Sequence, residues 1–279
     1  MRDIRPAAVA GQFYPGSPAV LSGELGAFLG AAAGAGAGAT VPKALVVPHA
    51  GYVYSGGVAA KAYARLAAGR DTIRRVVLLG PTHRVAVRGL ALPAAGAFAT
   101  PLGVVEIDAD AVAQLRSLPQ VTVSAAAHAQ EHSLEVQLPF LQRMLAQFTL
   151  VPLAVGMASA DDVAAVLDRL WGGLETLIVV STDLSHYHGY ADAQRIDRST
   201  AQRILALTPT LDHDEACGAT PLNGFLVCAR RRGLVPELLD LRNSGDTAGD
   251  RSRVVGYAAF AFEESCAGEA PTASPRDPP

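Results

Sequence analysis

The chain has 279 residues, half of them hydrophobic and 18% charged, with a formal net charge of −3. This is the composition of a globular protein with a large core, not of a disordered chain. Acidic and basic residues are mixed along its length, which excludes a basic face for nucleic acid and a polybasic patch for membranes, so neither is expected as a partner.

The opening stretch MRDIRPAAVAGQFYPG has no apolar run of signal-peptide length, and no later stretch reads as a spanning helix, so a cytoplasmic protein is expected. A first helix is followed by GAAAGAGAGAT (30–40), which reads as a flexible connection. Apolar runs of strand length then recur at 43–48, 75–80, 150–155, 176–181 and 254–262. Helix-period stretches lie between them at 57–68, 132–147 and 161–171, and PLNGFLVCAR (221–230) is also helix-like. Residues 89–108 read as extended chain and turns, and the Pro-rich tail from Cys266 reads as disordered. Strands apolar on both faces, alternating with helices, predict one α/β/α domain over residues 1–265 with a central, mixed sheet. Cys217, Cys228 and Cys266 are odd in number and form no CxxC, which predicts neither a zinc knuckle nor a disulfide framework. Cys228 reads as a buried, inert thiol.

The polar residues that follow these strands carry the functional reading. ALVVP is followed by His49, RVVLLGPT by His83, and TLIVVSTDLS by His186, with Asp183 before it and His188 after it. In an open α/β sheet ligands bind outside the carboxyl ends of the strands, so these imidazoles are placed to converge on a metal or acid–base site. Polar loops with chance histidines are the competing reading. The segment AHAQEHSLEVQLPF adds His128, Glu131, His132 and Glu135; its leucines fit an ordinary amphipathic helix, and its polar cluster either faces the site or caps that helix. The loop RNSGDTAGD (242–250) carries Asp246 and Asp250, which read either as a carboxylate donor or as Asx-turns. Two histidines and one carboxylate form the set that holds non-haem Fe(II). Tyr52, Tyr54, Tyr187 and Tyr190 lie near the motifs and suit either an aromatic ligand or plain packing. Arg84 and Arg88 beside His83 are the anion-binding candidates.

The segments GQFYPG, PHAGYVYSGG, GPTH, TPLGVVEID, EHSLEVQLPFLQ, STDLSHY and SRVVGYAAFAF occur in the order found in the Memo family, whose prokaryotic members are called AmmeMemoRadiSam system protein B. The resemblance runs from about Arg5 to Phe262. It implies the α/β fold of class III extradiol (LigB-like) dioxygenases, which use non-haem Fe(II), with Cu or Zn as alternative metals. By motif position it implies His49 and His83 as metal ligands and His186 as acid–base catalyst or further metal contact. Glu131 and His132 resemble an acidic–histidine pair beside the catalytic pocket. Where animal relatives carry a cysteine and the dioxygenases a glutamate, this chain has NSGDTAG, and Asp246 is taken as the third ligand; Cys217 in EACGAT is not. The expected function is an oxygenase-like or redox enzyme on a small organic substrate, a phenol being one candidate, with a non-catalytic adaptor module or a hydrolytic zinc site as alternatives. The family name also implies a radical-SAM protein and an AMMECR1-like protein as partners.

Overall fold

The structure is a computed structural model that describes residues 3–33 and 40–265; the predicted disordered tail and most of the glycine–alanine run lie outside them. In chain order, β1 (Ile4–Arg5) leads to α1 (Pro18–Ala32), β2 (Ala44–Val47) and α2 (Tyr52–Tyr63). Then come β3 (Arg75–Pro81), β4 (Leu90–Leu92), β5 (Ala97–Thr100), β6 (Gly103–Glu106), α3 (Ala109–Leu115) and β7 (Val121–Val123). Three short helices follow, α4 (Ala125–Ala129), α5 (His132–Glu135) and α6 (Leu138–Met144), before β8 (Thr149–Val155), α7 (Ala160–Leu170) and β9 (Thr176–Ser181). The chain continues through β10 (His186–His188), α8 (Tyr190–Leu205), α9 (Ala219–Arg231), β11 (Val235–Asn243), α10 (Ser244–Thr247) and β12 (Val254–Glu263).

One nine-stranded sheet organises this chain, in the order β10-β12-β2-β9-β3-β8-β4-β7, with β11 also paired to β12. Its centre, β2-β9-β3-β8, is parallel, whereas β12 and β4 join it antiparallel. The fold is therefore mixed α/β, as the pattern of apolar runs predicts. Each central strand is buried on both faces because its side chains alternate between two cores. Val46, Val77, Leu79, Val151 and Val180 pack under α3, α7 and α9. Leu45, Val76, Leu78, Leu177 and Val179 pack under α1, α2 and α6. No helix among the described residues is long and apolar enough to cross a membrane.

Two helix expectations shift. The helix expected at 57–68 begins at Tyr52, with Gly51 as its N-cap and Gly56 inside it. A side chain at Gly56 would meet the Phe28 ring at 2.7 Å, so this glycine lets α1 pack against α2 and does not open the helix. The single helix expected at 132–147 breaks after Glu135 and restarts at Leu138, with Pro139 in the first turn of the second piece. That break turns the start of α5 towards the end of β3. A β-carbon on Gly80 would lie 2.7 Å from Ser133 Oγ and 3.0 Å from Leu134, so the approach requires a residue without a side chain there.

Candidate metal centre

Because β2, β9, β3 and β8 run parallel, the residues that leave them all emerge at one edge of the sheet. β2 ends at Val47 and, through Pro48, delivers His49, which is 2% exposed. Its backbone N–H donates to Asp183 Oδ1 at 2.8 Å, so the loops after β2 and β9 hold each other. Its ring is fixed by Ser181, the last residue of β9, whose Oγ lies 2.9 Å from His49 Nδ1. Ser181 donates its one hydroxyl proton to Ser133 O at 2.6 Å and accepts from Gln137 Nε2 at 2.8 Å. His49 Nδ1 must therefore carry the proton and donate it to Ser181, which leaves Nε2 unprotonated, the nitrogen able to act as a ligand.

His83 is set by Glu131. Its backbone N–H donates to Glu131 Oε2 at 2.6 Å and its Nδ1 to Oε1 at 2.9 Å, so Nε2 is the nitrogen left to act as a ligand. Glu131 is 2% exposed, caps α5 by accepting from Ser133 N at 2.9 Å, and lies 3.5 Å from His132 Nδ1. Burial alone would raise its carboxyl pKa, but the hydrogen bonds and charge of His83 and the Ser133 N–H outweigh burial and hold it down at about 2. The three rings then meet, His83 and His132 stacked at 4.6 Å between centroids and His49 edge-on to them at 5.1 and 5.4 Å.

One nitrogen from each of His49, His83 and His132 lies within 4.8 Å of the others. Burial keeps His49 neutral well below the usual imidazole range, and burial followed by the nearby His83 pushes His132 down to about 4. Three imidazoles, two of them with the far nitrogen held by a hydroxyl or a carboxylate, form a donor set that fits a divalent first-row metal ion.

His186 stands apart from this triad. It is half-buried in β10 and lines an open cleft of about 890 Å³, together with His83, Met157, Tyr187, His213 and Cys217. Burial lowers its pKa, so it is neutral and able to accept a proton. Asp183, beneath His49, is pushed up to about 7 by burial.

Other predicted residues are placed elsewhere. Asp246 is exposed; it accepts from Asn243 N at 3.0 Å in a capping box and from the Tyr190 hydroxyl, so it is a helix cap and lies outside the histidine group. Asp250 accepts from Ser252 in a turn. His128 does not pair with His132: α4 ends between them, and His128 is buried with its Nε2 2.8 Å from Ala91 O. Glu135 is fully buried and ties the N-terminal segment down, pairing with Arg5 at 2.6 Å and accepting from Ala8, Val9 and Tyr14. Of the four tyrosines only Tyr187 lines the cleft; Tyr52 is buried and donates to Val136 O. Arg84 and Arg88 are both exposed.

Cys217, set aside in the sequence reading, lies with its Sγ 3.3 Å from His49 Nε2, the nitrogen that would face a metal. Burial, then the charge of Asp183, raises its thiol to about 12, so it is a protonated S–H donor to that lone pair. Ser181 and Gln137 were missed as well. A serine closing an otherwise apolar strand was the one signal that pointed to Ser181.

Residues 5–261 match the family described as Memo-like protein. The chain belongs to the Memo family. Among the relatives of this Memo protein, a MEMO1 family protein of Methanopyrus kandleri is 39% identical over 92% of this chain and 98% of its own. One from Aquifex aeolicus is 35% identical over 93% and 99%. An uncharacterized protein from Escherichia coli K12 superposes with a TM-score of 0.47 at 15% identity, over 78% of this chain and 99% of that one.

Proposed function

We propose that this Memo protein is an Fe(II)-dependent, oxygenase-like oxidoreductase acting on a small phenolic substrate, with His49, His83 and His132 as the metal ligands. The observation that carries the reading is the convergence of three imidazoles beside a cleft of substrate size. Ferrous iron on such a set would supply one-electron chemistry with dioxygen and leave coordination positions open. Ser181 and Glu131 would hold the rings of His49 and His83 so that neither needs to turn on loading. His186, neutral and facing the same cleft, would take the proton of the substrate hydroxyl on binding and return it later. The expected third ligand is revised from Asp246 to His132. Family resemblance is the support for a cytoplasmic setting and for the radical-SAM and AMMECR1-like partners.

Metal content tests this directly. Purified anaerobically and loaded with Fe(II), the protein should hold about one iron per chain, and His49→Ala, His83→Ala and His132→Ala should each lose it. Asp246→Asn should keep it. Tight zinc in place of iron would replace oxygenase chemistry with a hydrolytic site, and no stoichiometric metal would leave the adaptor module as the better account of the cleft.

A further inference from the structure

Tyr187 occupies a backbone conformation that an aromatic residue rarely adopts. Its φ is 63°, in the left-handed region where a β-carbon crowds the following carbonyl and where glycine or asparagine is the usual choice. The strand pairing of β10 with β12 slips between His186 and His188, so Tyr187 is the bulged residue between them. Burial does not repay this conformation, because Tyr187 is 63% exposed. Its ring is held in place instead, with the Arg253 guanidinium 5.1 Å from its centroid and the His186 ring edge-on at 5.7 Å. Held there, it lines the cleft.

Met157, just beyond the end of β8, is the other exposed large apolar side chain in this cleft, 68% exposed. Its segment is pinned. Met157 N donates to Val87 O at 2.8 Å, and a β-carbon on the preceding Gly156 would lie 2.1 Å from that same oxygen. In the sheet order, β10 lies on one side of the strands that deliver His49 and His83, and β8 on the other. The two exposed apolar side chains thus flank the histidine group. A bulged, strained backbone and a glycine-dependent close approach each present an apolar side chain to solvent in one cleft, which is how strain is distributed when a site must be preorganised.

We infer that Tyr187 and Met157 form a pair of apolar jaws that determines specificity, gripping the flat apolar body of a substrate whose polar end faces the histidines. A planar ring suits both members, the phenol ring by offset stacking and the thioether by contact at the ring edge. The cleft then selects an amphipathic molecule with one flat apolar part over a sugar or a saturated alcohol. The assignment rests on reading the cleft as a substrate site, but it does not need the metal.

The test is equilibrium binding of phenol and cyclohexanol, which match in hydroxyl and size and differ in planarity, to metal-free wild type, Tyr187→Ala, Tyr187→Phe and Met157→Ala. Wild type and Tyr187→Phe should prefer phenol by about tenfold, and both alanine variants should lose the preference with their thermal midpoints retained. Equal binding of the two probes to wild type, no binding of either, or a preference surviving in Tyr187→Ala would overturn the jaws. Iron titration of the same four proteins separates the two readings. Failure to hold iron with the phenol preference intact sinks the metalloenzyme and leaves the jaws standing, whereas iron binding without the preference does the reverse.

Discussion

Glu131→Gln perturbs the centre at its most connected point. The carboxylate accepts from the His83 backbone N–H, the His83 ring and Ser133 N. Glutamine keeps the volume and one acceptor oxygen, but its amide nitrogen would face an N–H, leaving two donors opposed in a buried site. A carboxyl held at about 2 instead of 4.5 contributes, at about 1.4 kcal/mol per pH unit, about 3 kcal/mol of folding stability. The folded-state pKa is depressed, so this contribution is complete above the unfolded value of 4.5 and is lost as pH falls towards about 2. Urea unfolding should therefore show the variant weaker than wild type by about 3 kcal/mol near neutral pH, with the gap closing as pH approaches the folded pKa. With the His83 ring no longer held, metal affinity should fall by about 10- to 100-fold in the same variant. A variant as stable as wild type at neutral pH, with unchanged affinity, would refute the claim that this carboxylate organises the site.

The remaining predictions concern its surroundings. His128 titrates at about 4 instead of 6.5 because it is buried, with Arg5 nearby, so the unfolded chain takes up a proton there before the folded one. About 3 kcal/mol should be lost between those pH values, and His128→Gln, which keeps an N–H for Ala91 O, should abolish that slope. Asp183, raised to about 7, slopes the other way across the same window, so the difference between variant and wild type is the quantity to read. Gly80→Ala should destabilise by about 1–3 kcal/mol and lose metal, because its new methyl must push Ser133, and with it Glu131 and His132, away from β3; a melt and an iron titration on one sample check both effects. Tyr187→Gly should be slightly more stable than wild type, by up to about 1 kcal/mol, since relief of the left-handed strain exceeds the added freedom of the unfolded chain; denaturant midpoints at equal slope would show it.

The residues that bind a strand to its neighbours were legible, and so were the first two candidate ligands. Apolar runs that stop at Pro48 and Pro81 are local signals, and a histidine one or two residues further on is delivered to the carboxyl edge whatever the helices do. The chain direction of the central strands makes that placement unavoidable once they pair in parallel. The helical stretch after His132 was less legible. Its leucine period runs unbroken through Pro139, which has no N–H for the Glu135 carbonyl and breaks the helix, and the packing of α5 against Gly80 turns the polar end inward.

The third corner of the site shows why a residue type in a loop is weak evidence for a ligand. Asp246 has the right chemistry, but a carboxylate three residues after an asparagine at a helix start is drawn into the cap, and here the exposed Tyr190 hydroxyl takes its other oxygen. His132 has no such local competitor. Its ring stacks on His83 and against Phe13, and the carboxylate beside it is already engaged by His83, so its remaining nitrogen has nowhere to point but the shared space. Cys217 reaches the same space from a segment 168 residues from His49 in sequence, at the start of α9, because Thr182 Oγ1 accepts from Gly218 N and docks that helix onto the end of β9. A cation bound by the imidazoles would have to displace the thiol proton from the lone pair of His49 or accept the sulfur beside it. The outer ring nitrogens of His49 and His83 are held by Ser181 and Glu131, which leaves the nitrogens that face one another as the donors a cation would meet.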